Sequence, residues 1–228
     1  MGITLGEVIF NEAYTTVREK FAEIGGRDAR IIVISGVIFG ESALQDIETL
    51  LDAVAAAASE DGCVAALSLR TGRRLMVRRT AFSREAGRDS LVGAFVLELA
   101  ADDPLEESSA LTSVNWTITE SGATRLVTSS GTAETPTTIT FVASGGVVNP
   151  SFSDGSRTAR YEGTVADGQT LILDGVQERA LLAGEDVTPY VSGVFPQVAP
   201  GDTTLTYEDD ASSSHSGTAT VAFRDRWY

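Results

Sequence analysis

Residues 139–175 read ITFVASGGVVNPSFSDGSRTARYEGTVADGQTLILDG, and their punctuation decides the fold. Short β-branched and aromatic runs, Ile139-Thr140-Phe141-Val142, Thr158-Ala159-Arg160-Tyr161 and Thr170-Leu171-Ile172-Leu173, are separated by Gly145-Gly146, Asp154-Gly155 and Asp167-Gly168, with Asp174-Gly175 closing the last. Glycine supplies the positive backbone angles of tight turns, so the Asp-Gly and Gly-Gly pairs read as turns between short strands. The pattern runs on: Thr204-Leu205-Thr206-Tyr207 follows Pro200-Gly201, and in Thr218 to Phe223 the residues Ala219, Val221 and Phe223 alternate with Thr218, Thr220 and Ala222. That period of two marks a half-buried sheet. An antiparallel β-sandwich or barrel is expected here, with no need of a helix.

Toward the N-terminus the chain changes character. Residues 1–107 hold 11 of the 17 Lys+Arg and 12 Ser+Thr, whereas residues 108–228 hold 6 Lys+Arg and 34 Ser+Thr. The acidic stretch from Asp102 to Ser109, with Pro104 inside it, has little to bury and reads as an exposed linker. It divides the chain into an N-terminal domain, 1–107, and a C-terminal domain, 108–228.

In the first domain a helix is expected from Ser42. Ser42 and Gln45 have the spacing of a capping box. Leu44, Ile47, Leu51, Val54 and Ala58 then fall on one stripe, and Gly62 is a stop signal. The stripe must pack on something, and the β-branched run Arg30 to Phe39, with Val64 to Leu69, Leu75 to Val77 and Ser90 to Leu99, supplies a sheet. Val17-Phe21-Ile24 fits helical spacing, yet Gly25-Gly26 and the strand-like Ile31 to Ile34 fit a hairpin equally well.

The formal charge of −15 on 228 residues repels phosphate, so no specific nucleic-acid binding is expected. The longest largely apolar run, Ile31 to Phe39, falls short of the roughly 18 residues of a membrane span, and no basic region precedes an apolar stretch at the N-terminus. A soluble product made in the cytoplasm is expected. A single cysteine, Cys63, excludes an intrachain disulfide, and a single histidine, His215, excludes His-pair metal sites.

Catalytic chemistry finds no constellation. His215 sits in Ser212-Ser213-Ser214-His215-Ser216-Gly217, which reads as a solvated loop tip. Cys63 reads as a small buried residue. Glu208-Asp209-Asp210, Asp154 and Asp202 have carboxylates for calcium but lack the loop spacing that binds it. No phosphate-cradling glycine motif is present. No catalytic residue, metal ligand or cofactor follows. Trp116 and Trp227 offer a sugar-stacking platform on one reading and core or interface packing on another. Asn115-Trp116-Thr117 matches a glycosylation sequon but carries no weight without a secretory signal.

The unusual feature is basic. Arg70, Arg73, Arg74, Arg78, Arg79, Arg84 and Arg88 place seven guanidiniums in nineteen residues of an acidic chain whose only lysine is Lys20. A guanidinium fork suits bidentate pairing with carboxylate, so salt bridges to an acidic neighbour, including another copy of the chain, compete with scattered surface pairs.

The order of these pieces resembles a known family. Gly26-Arg27-Asp28-Ala29-Arg30-Ile31-Ile32-Val33-Ile34-Ser35-Gly36, the helix from Ser42, Gly72-Arg73-Arg74-Leu75-Met76-Val77, and Gly93-Ala94-Phe95-Val96-Leu97 ending at Asp102-Asp103-Pro104 resemble the N-terminal domain of distal tail proteins of long-tailed, siphovirus-like bacteriophages. Gly131-Thr132-Ala133, Pro136-Thr137-Thr138-Ile139, Asn149-Pro150, Phe195-Pro196 before Pro200-Gly201-Asp202-Thr203-Thr204-Leu205, and the closing Val221-Ala222-Phe223-Arg224-Asp225-Arg226-Trp227 are similar to that family's C-terminal domain. The resemblance implies a mainly β (α+β) fold: an N-terminal β-sandwich or barrel-like domain with one packed helix, and a C-terminal galectin-like antiparallel β-sandwich. It also implies a structural, non-enzymatic tail-tip or baseplate protein of a virion, a phage or a gene transfer agent. In that role a homohexameric ring joins the tail tube protein to the tail hub protein. The C-terminal domain lies outside the ring, where a receptor-binding protein or a glycan is a further contact.

No catalytic residue transfers with the family. Arg70, Arg73, Arg74, Arg78 and Arg79 become candidate interface residues, and a carbohydrate-binding β-sandwich protein stands as the alternative.

Overall fold

The structure, a computed structural model, describes residues 2–40, 44–58, 64–86 and 91–228. Among the described residues the chain is mainly β with one α-helix, and it divides into two compact units, Met1–Ser109 with Tyr228 and Ala110–Trp227.

The first unit contains β1 (Ile3–Leu5), β2 (Val8–Phe10), β3 (Thr15–Ile24), β4 (Arg27–Phe39), α1 (Leu44–Ala56), β5 (Ala65–Ser68), β6 (Arg73–Ala86), β7 (Val92–Ala101) and β8 (Glu106–Ser108). Their hydrogen-bonded order is β2-β1-β5-β6-β7-β4-β3, every pairing antiparallel, with β8 also on β6. The long strand β6 serves two partners: Leu75–Val77 pairs with β5, while Arg78–Ala86 pairs with β7 through a register shift between Arg79 and Ala81. Such a bulge turns a strand, and here it lets one strand belong to both halves of the sheet.

The hairpin, rather than the helix, is the outcome for Val17 to Ile24. β3 and β4 pair from Thr15↔Gly36 to Ile24↔Arg27, and Gly25 and Gly26 turn between them with φ of 60° and 78°. Two consecutive positive φ values make the mirror-image turn whose twist matches the strands, and glycine reaches it without steric cost. The helix stripe is confirmed where it is described, since Ile47, Leu51, Val54 and Ala58 are buried against Ile32, Ile34, Phe95, Leu97 and Leu99. Ser42 and Gly62 of the expected helix signals, and Cys63, lie outside the described residues.

Asp102 to Ser109 departs from the exposed linker that its composition suggested. Glu106–Ser108 forms β8 on the N-terminal end of β6, and Glu106 is buried. Three basic side chains compensate its charge, which is what allows an acidic stretch to fold back into a unit.

In the second unit one sheet has the order Thr124–Ser129, Gly201–Glu208, Ser151–Ser153, Thr158–Tyr161, Val191–Gly193. The other has the order Glu185–Asp186, Arg179–Leu182, Thr170–Asp174, Thr138–Ala143, Gly217–Phe223, Thr112–Ile118. The core includes Phe141, Phe152 and Tyr207, all fully buried, with ring centroids 5.3–5.8 Å apart. Ala219, Val221 and Phe223 face it, as their alternation predicts.

Candidate subunit interface

The arginines of β6 and its preceding turn are committed within their own chain. Glu106, 3% exposed, is the hub. Its carboxylate meets Arg70, Arg73 at 3.5 Å and Arg30 at 3.2 Å. Arg30, itself 3% exposed, also donates through Nε to Glu19 at 2.8 Å and through Nη1 to the Pro104 carbonyl at 3.4 Å. Its guanidinium carbon lies 5.5 Å from the centre of the Phe21 ring. Farther along, Arg74 pairs with Glu107 at 2.6 Å, Arg78 with Asp102 at 3.3 Å, and Arg84 with Asp52 on α1. Arg79 donates to the Ala55 carbonyl. Buried carboxylate and guanidinium compensate one another here, so the removal of one partner leaves a desolvated charge.

The same unit exposes two strand edges. Among the described residues β3 pairs only with β4, and the stretch Thr80–Ala86 of β6 pairs only with β7. The strands β6-β7-β4-β3 therefore form a sheet ending on a free backbone edge at each side. One face of this sheet carries α1. The opposite face is uncovered within the unit: Thr16, Arg18 and Lys20 on β3, Ser35 and Val37 on β4, Ala94, Val96 and Glu98 on β7, and Ala81, Ser83 and Glu85 on β6. Unpaired N–H and C=O groups along an edge invite another strand, and a closed ring of strands removes every edge.

An apolar groove of about 520 Å3 opens near the other end of the unit, where Ile9, Tyr14, Val37, Phe39, Leu50 and Phe95 line it. Tyr14 and Phe39 stack edge to face, 4.8 Å between ring centres.

Other residues singled out in the sequence find separate roles. Trp116 is buried edge to face on Phe152, 6.0 Å between centroids, so it cannot stack a sugar; Trp227 is half-buried. Asn115 accepts from the Thr220 hydroxyl at 3.2 Å. His215 is not simply a solvated loop tip. Its Nδ1 lies 2.6 Å from the buried carboxylate of Asp209, which also accepts from the Tyr207 hydroxyl at 2.8 Å. Burial pushes the Tyr207 phenol far above its ordinary value, and the Asp209 carboxylate beside it adds to the effect.

Asp154 caps a hairpin turn. Its Oδ1 accepts from the amides of Ser156 at 2.8 Å and Arg157 at 2.7 Å, and its Oδ2 accepts from the amide of Gln197 at 2.8 Å. Burial alone raises the Asp154 pKa, but these amides with the Arg157 side chain outweigh it and hold the carboxyl below its usual range. Asp202 accepts from Thr128, and Asp210 from Asn149 and Arg160. The carboxylates considered for calcium thus have different partners. Among the described residues no group of three or more His, Cys, Asp and Glu is placed to hold a metal ion.

Residues 130–227 match the family described as siphovirus-type tail component, C-terminal domain. Over its whole length the chain is similar to the crystal structure of the Dit protein of phage SPP1. The TM-score is 0.66 at 15% identity, covering 100% of this chain and 94% of that one. That protein is described as a paradigm of the hub adsorption apparatus in phages infecting Gram-positive bacteria. A chain of the phage P2 baseplate in its activated conformation is more distantly similar, with a TM-score of 0.45 at 6% identity over 97% of this chain and 88% of that one. No curated protein matches in sequence.

Proposed function

We propose, from the premise that this chain has the fold of siphovirus distal tail proteins and carries the C-terminal domain of that tail component, that it builds a ring at the tip of a phage or phage-like tail. The ring is homohexameric, formed by the N-terminal domain (1–107), and joins the tail tube to the tail hub. The C-terminal sandwich (108–228) faces outward, toward whatever adsorption or receptor-binding protein the particle carries. The role is structural rather than enzymatic. The protein is made in the bacterial cytoplasm and ends in the virion at the tail tip.

The observation that carries this reading beyond likeness of fold is the sheet β6-β7-β4-β3, with a free edge at each side and one uncovered face. A subunit with two different free edges joins its copies head to tail, and rotation about an axis closes such a contact into a ring.

Arg70, Arg73, Arg74, Arg78 and Arg79 serve the interface indirectly in this reading. They brace β6 through Glu106, Glu107, Asp102 and the Ala55 carbonyl, so that the strand presents its far half as a rigid edge. Replacing Arg73 and Arg74 by Glu sets new carboxylates against Glu106 and Glu107, and assembly is expected to fail through damage to the subunit itself.

Light scattering of the purified protein with negative-stain images of the same sample tests the proposal. A ring with a central opening is expected, either alone or after mixing with tube and hub proteins. A strict monomer under both conditions overturns it.

A further inference from the structure

A second concave surface belongs to the C-terminal unit, and three of its elements build it. On Gly201–Glu208, Thr204 and Thr206 alternate with the buried Thr203, Leu205 and Tyr207, so their side chains point out of the sheet. Ser153 stands opposite Thr206, which sets the turn that follows it, residues 154–157, beside that outer face. The short ladder of Thr135–Pro136 on Gln197–Val198 brings Glu134 and Gln197 to the same place. Between them lies a cavity of about 440 Å3, inside the roughly 300–1,000 Å3 range of small-ligand pockets.

Its polar groups are held in place without being used up. Arg157 donates through Nη2 to Glu134 at 2.7 Å and through Nη1 to Asp154 at 3.4 Å. Asp154, whose side chain is 4% exposed, is itself fixed by the amides of Ser156, Arg157 and Gln197. A guanidinium has five N–H donors, so this brace fixes its plane and leaves donors over. Among the described residues the side chains of Gln197, Thr204 and Thr206 make no hydrogen bond, and Asp202 accepts only from Thr128. One cavity is therefore lined by spare donors on Arg157, spare acceptors on Glu134 and Asp202, and an amide and two hydroxyls that supply both.

That mixture selects a class of ligand. Glu134, Asp154 and Asp202 outnumber Arg157, which disfavours phosphates, uronates and other anions. Ala199 is the largest wholly apolar side chain of the lining, so an aromatic or aliphatic anchor gains little by entering. A sugar hydroxyl donates and accepts at once, and neighbouring hydroxyls of a pyranose match the parallel donors of a guanidinium and the paired oxygens of a carboxylate. Being uncharged, they lose less on leaving water than an ion does.

We propose that this cavity binds a unit of an uncharged saccharide, so that the outward-facing sandwich touches cell-surface glycan directly and without either tryptophan. The inference rests on the ring reading only for the source of the sugar; the binding itself needs one subunit. With no aromatic ring to stack on the sugar the contact is weak, with a Kd on the order of 1 mM, and copies repeated around a ring raise it by avidity.

Saturation-transfer NMR on the full chain tests the site, with glucose, galactose, N-acetylglucosamine and N-acetylgalactosamine as probes and glucuronate and glucose 6-phosphate as their anionic counterparts. At least one uncharged sugar should give a transfer signal, and the anions should give none. Thr204→Val with Thr206→Val removes two hydroxyls and keeps branched side chains on the strand; affinity should fall about tenfold or more. Asp202→Asn should lower it about three- to fivefold. Thr117→Val with Thr218→Val makes the same exchange at an opposed, exposed pair of the other sheet and should leave binding unchanged.

No signal from any uncharged sugar, an equal signal from the anions, or an affinity that both valine pairs change alike overturns the saccharide site. A ring seen by microscopy that binds no sugar overturns this inference and leaves the ring reading standing. A strict monomer whose sugar binding depends on Thr204 and Thr206 does the reverse.

Discussion

The C-terminal unit closes its core between two sheets, so that Phe152 and Tyr207 from one meet Phe141 and Trp116 from the other. The N-terminal unit has a largely aliphatic core, with Phe10 and Phe95 in it, under α1; among the described residues the far side of its sheet is uncovered and a strand edge is free at each side. The sandwich is complete by itself: both sheets have an inner face that is apolar and an outer face that is polar, the arrangement expected of a domain that folds alone. The first unit has buried what one helix can cover, and its remaining surface has the geometry of a repeating element.

The largest expected effect breaks the sandwich and spares the other unit. Phe152→Ala removes a fully buried ring from the cluster of Phe141, Trp116 and Tyr207 and should cost about 3–5 kcal/mol. In a thermal scan one transition should fall by many degrees while a second holds. If both fall together, the two units unfold as one body and the comparison between them loses its basis.

Glu106→Gln acts on the other side of the comparison. It removes the charge that Arg30, Arg70 and Arg73 share, leaving Arg30 with Glu19 and the Pro104 carbonyl and Arg70 with Glu19 at 4.0 Å, and should cost about 2–4 kcal/mol. The transition that Phe152→Ala leaves in place is the one that should move. Chemical denaturation followed by circular dichroism on both variants assigns the transitions.

Asp154→Asn sharpens the comparison through pH. The folded pKa of Asp154 is held below the ordinary aspartate value of 3.8, so its contribution to stability is present above that value and is lost as pH falls through the depressed folded pKa. The variant should be about 1–3 kcal/mol less stable than the parent at neutral pH. The gap should narrow below about pH 4, where the parent's carboxylate begins to protonate. Urea midpoints measured across that range check the sign; a gap that widens in acid would contradict it.

What the sequence made legible follows from the range of the forces involved. Turn chemistry is local, so Asp154-Gly155 and Asp174-Gly175 marked the hairpins that join Ser151–Ser153 to Thr158–Tyr161 and Thr170–Asp174 to Arg179–Leu182. The helix stripe was equally local, and Ile47, Leu51, Val54 and Ala58 are buried as their spacing required. The acidic stretch around Glu106 misled because its compensation is remote: Arg30 lies 76 residues away in the chain, and no window of composition contains both partners. His215 misled for a different reason: its partner Asp209 is only six residues away, but the burial of that carboxylate is set by packing that the polar local sequence does not show. Trp116 was left open between core and surface, and only its contact with Phe152 decides it. The arginines stood out in the sequence, but their intrachain partners did not, and neither did the sheet edges left free among the described residues, because a free edge is defined by which strands fail to pair.

The smallest effects belong to the turn that made one edge possible. Gly25 and Gly26 sit at φ of 60° and 78° between β3 and β4, and neither has a neighbour close enough to obstruct a Cβ atom. Space is therefore not the constraint; the left-handed backbone is. Gly26→Val demands a β-branched side chain where φ is positive and should cost about 1–2 kcal/mol, loosening the hairpin from its tip. Gly25→Asn asks for a residue that tolerates this conformation and forms the Asn-Gly pair favoured in such turns, while reducing the freedom of the unfolded chain. It should leave stability within about 0.5 kcal/mol of the parent, or raise it slightly. Hydrogen exchange at the amides of β3 separates the two: faster in Gly26→Val, unchanged or slower in Gly25→Asn. If both behave alike, the turn does not fix the pairing of Thr15–Ile24 with β4, and the rigidity of that edge must come from Arg30 and Glu19 alone.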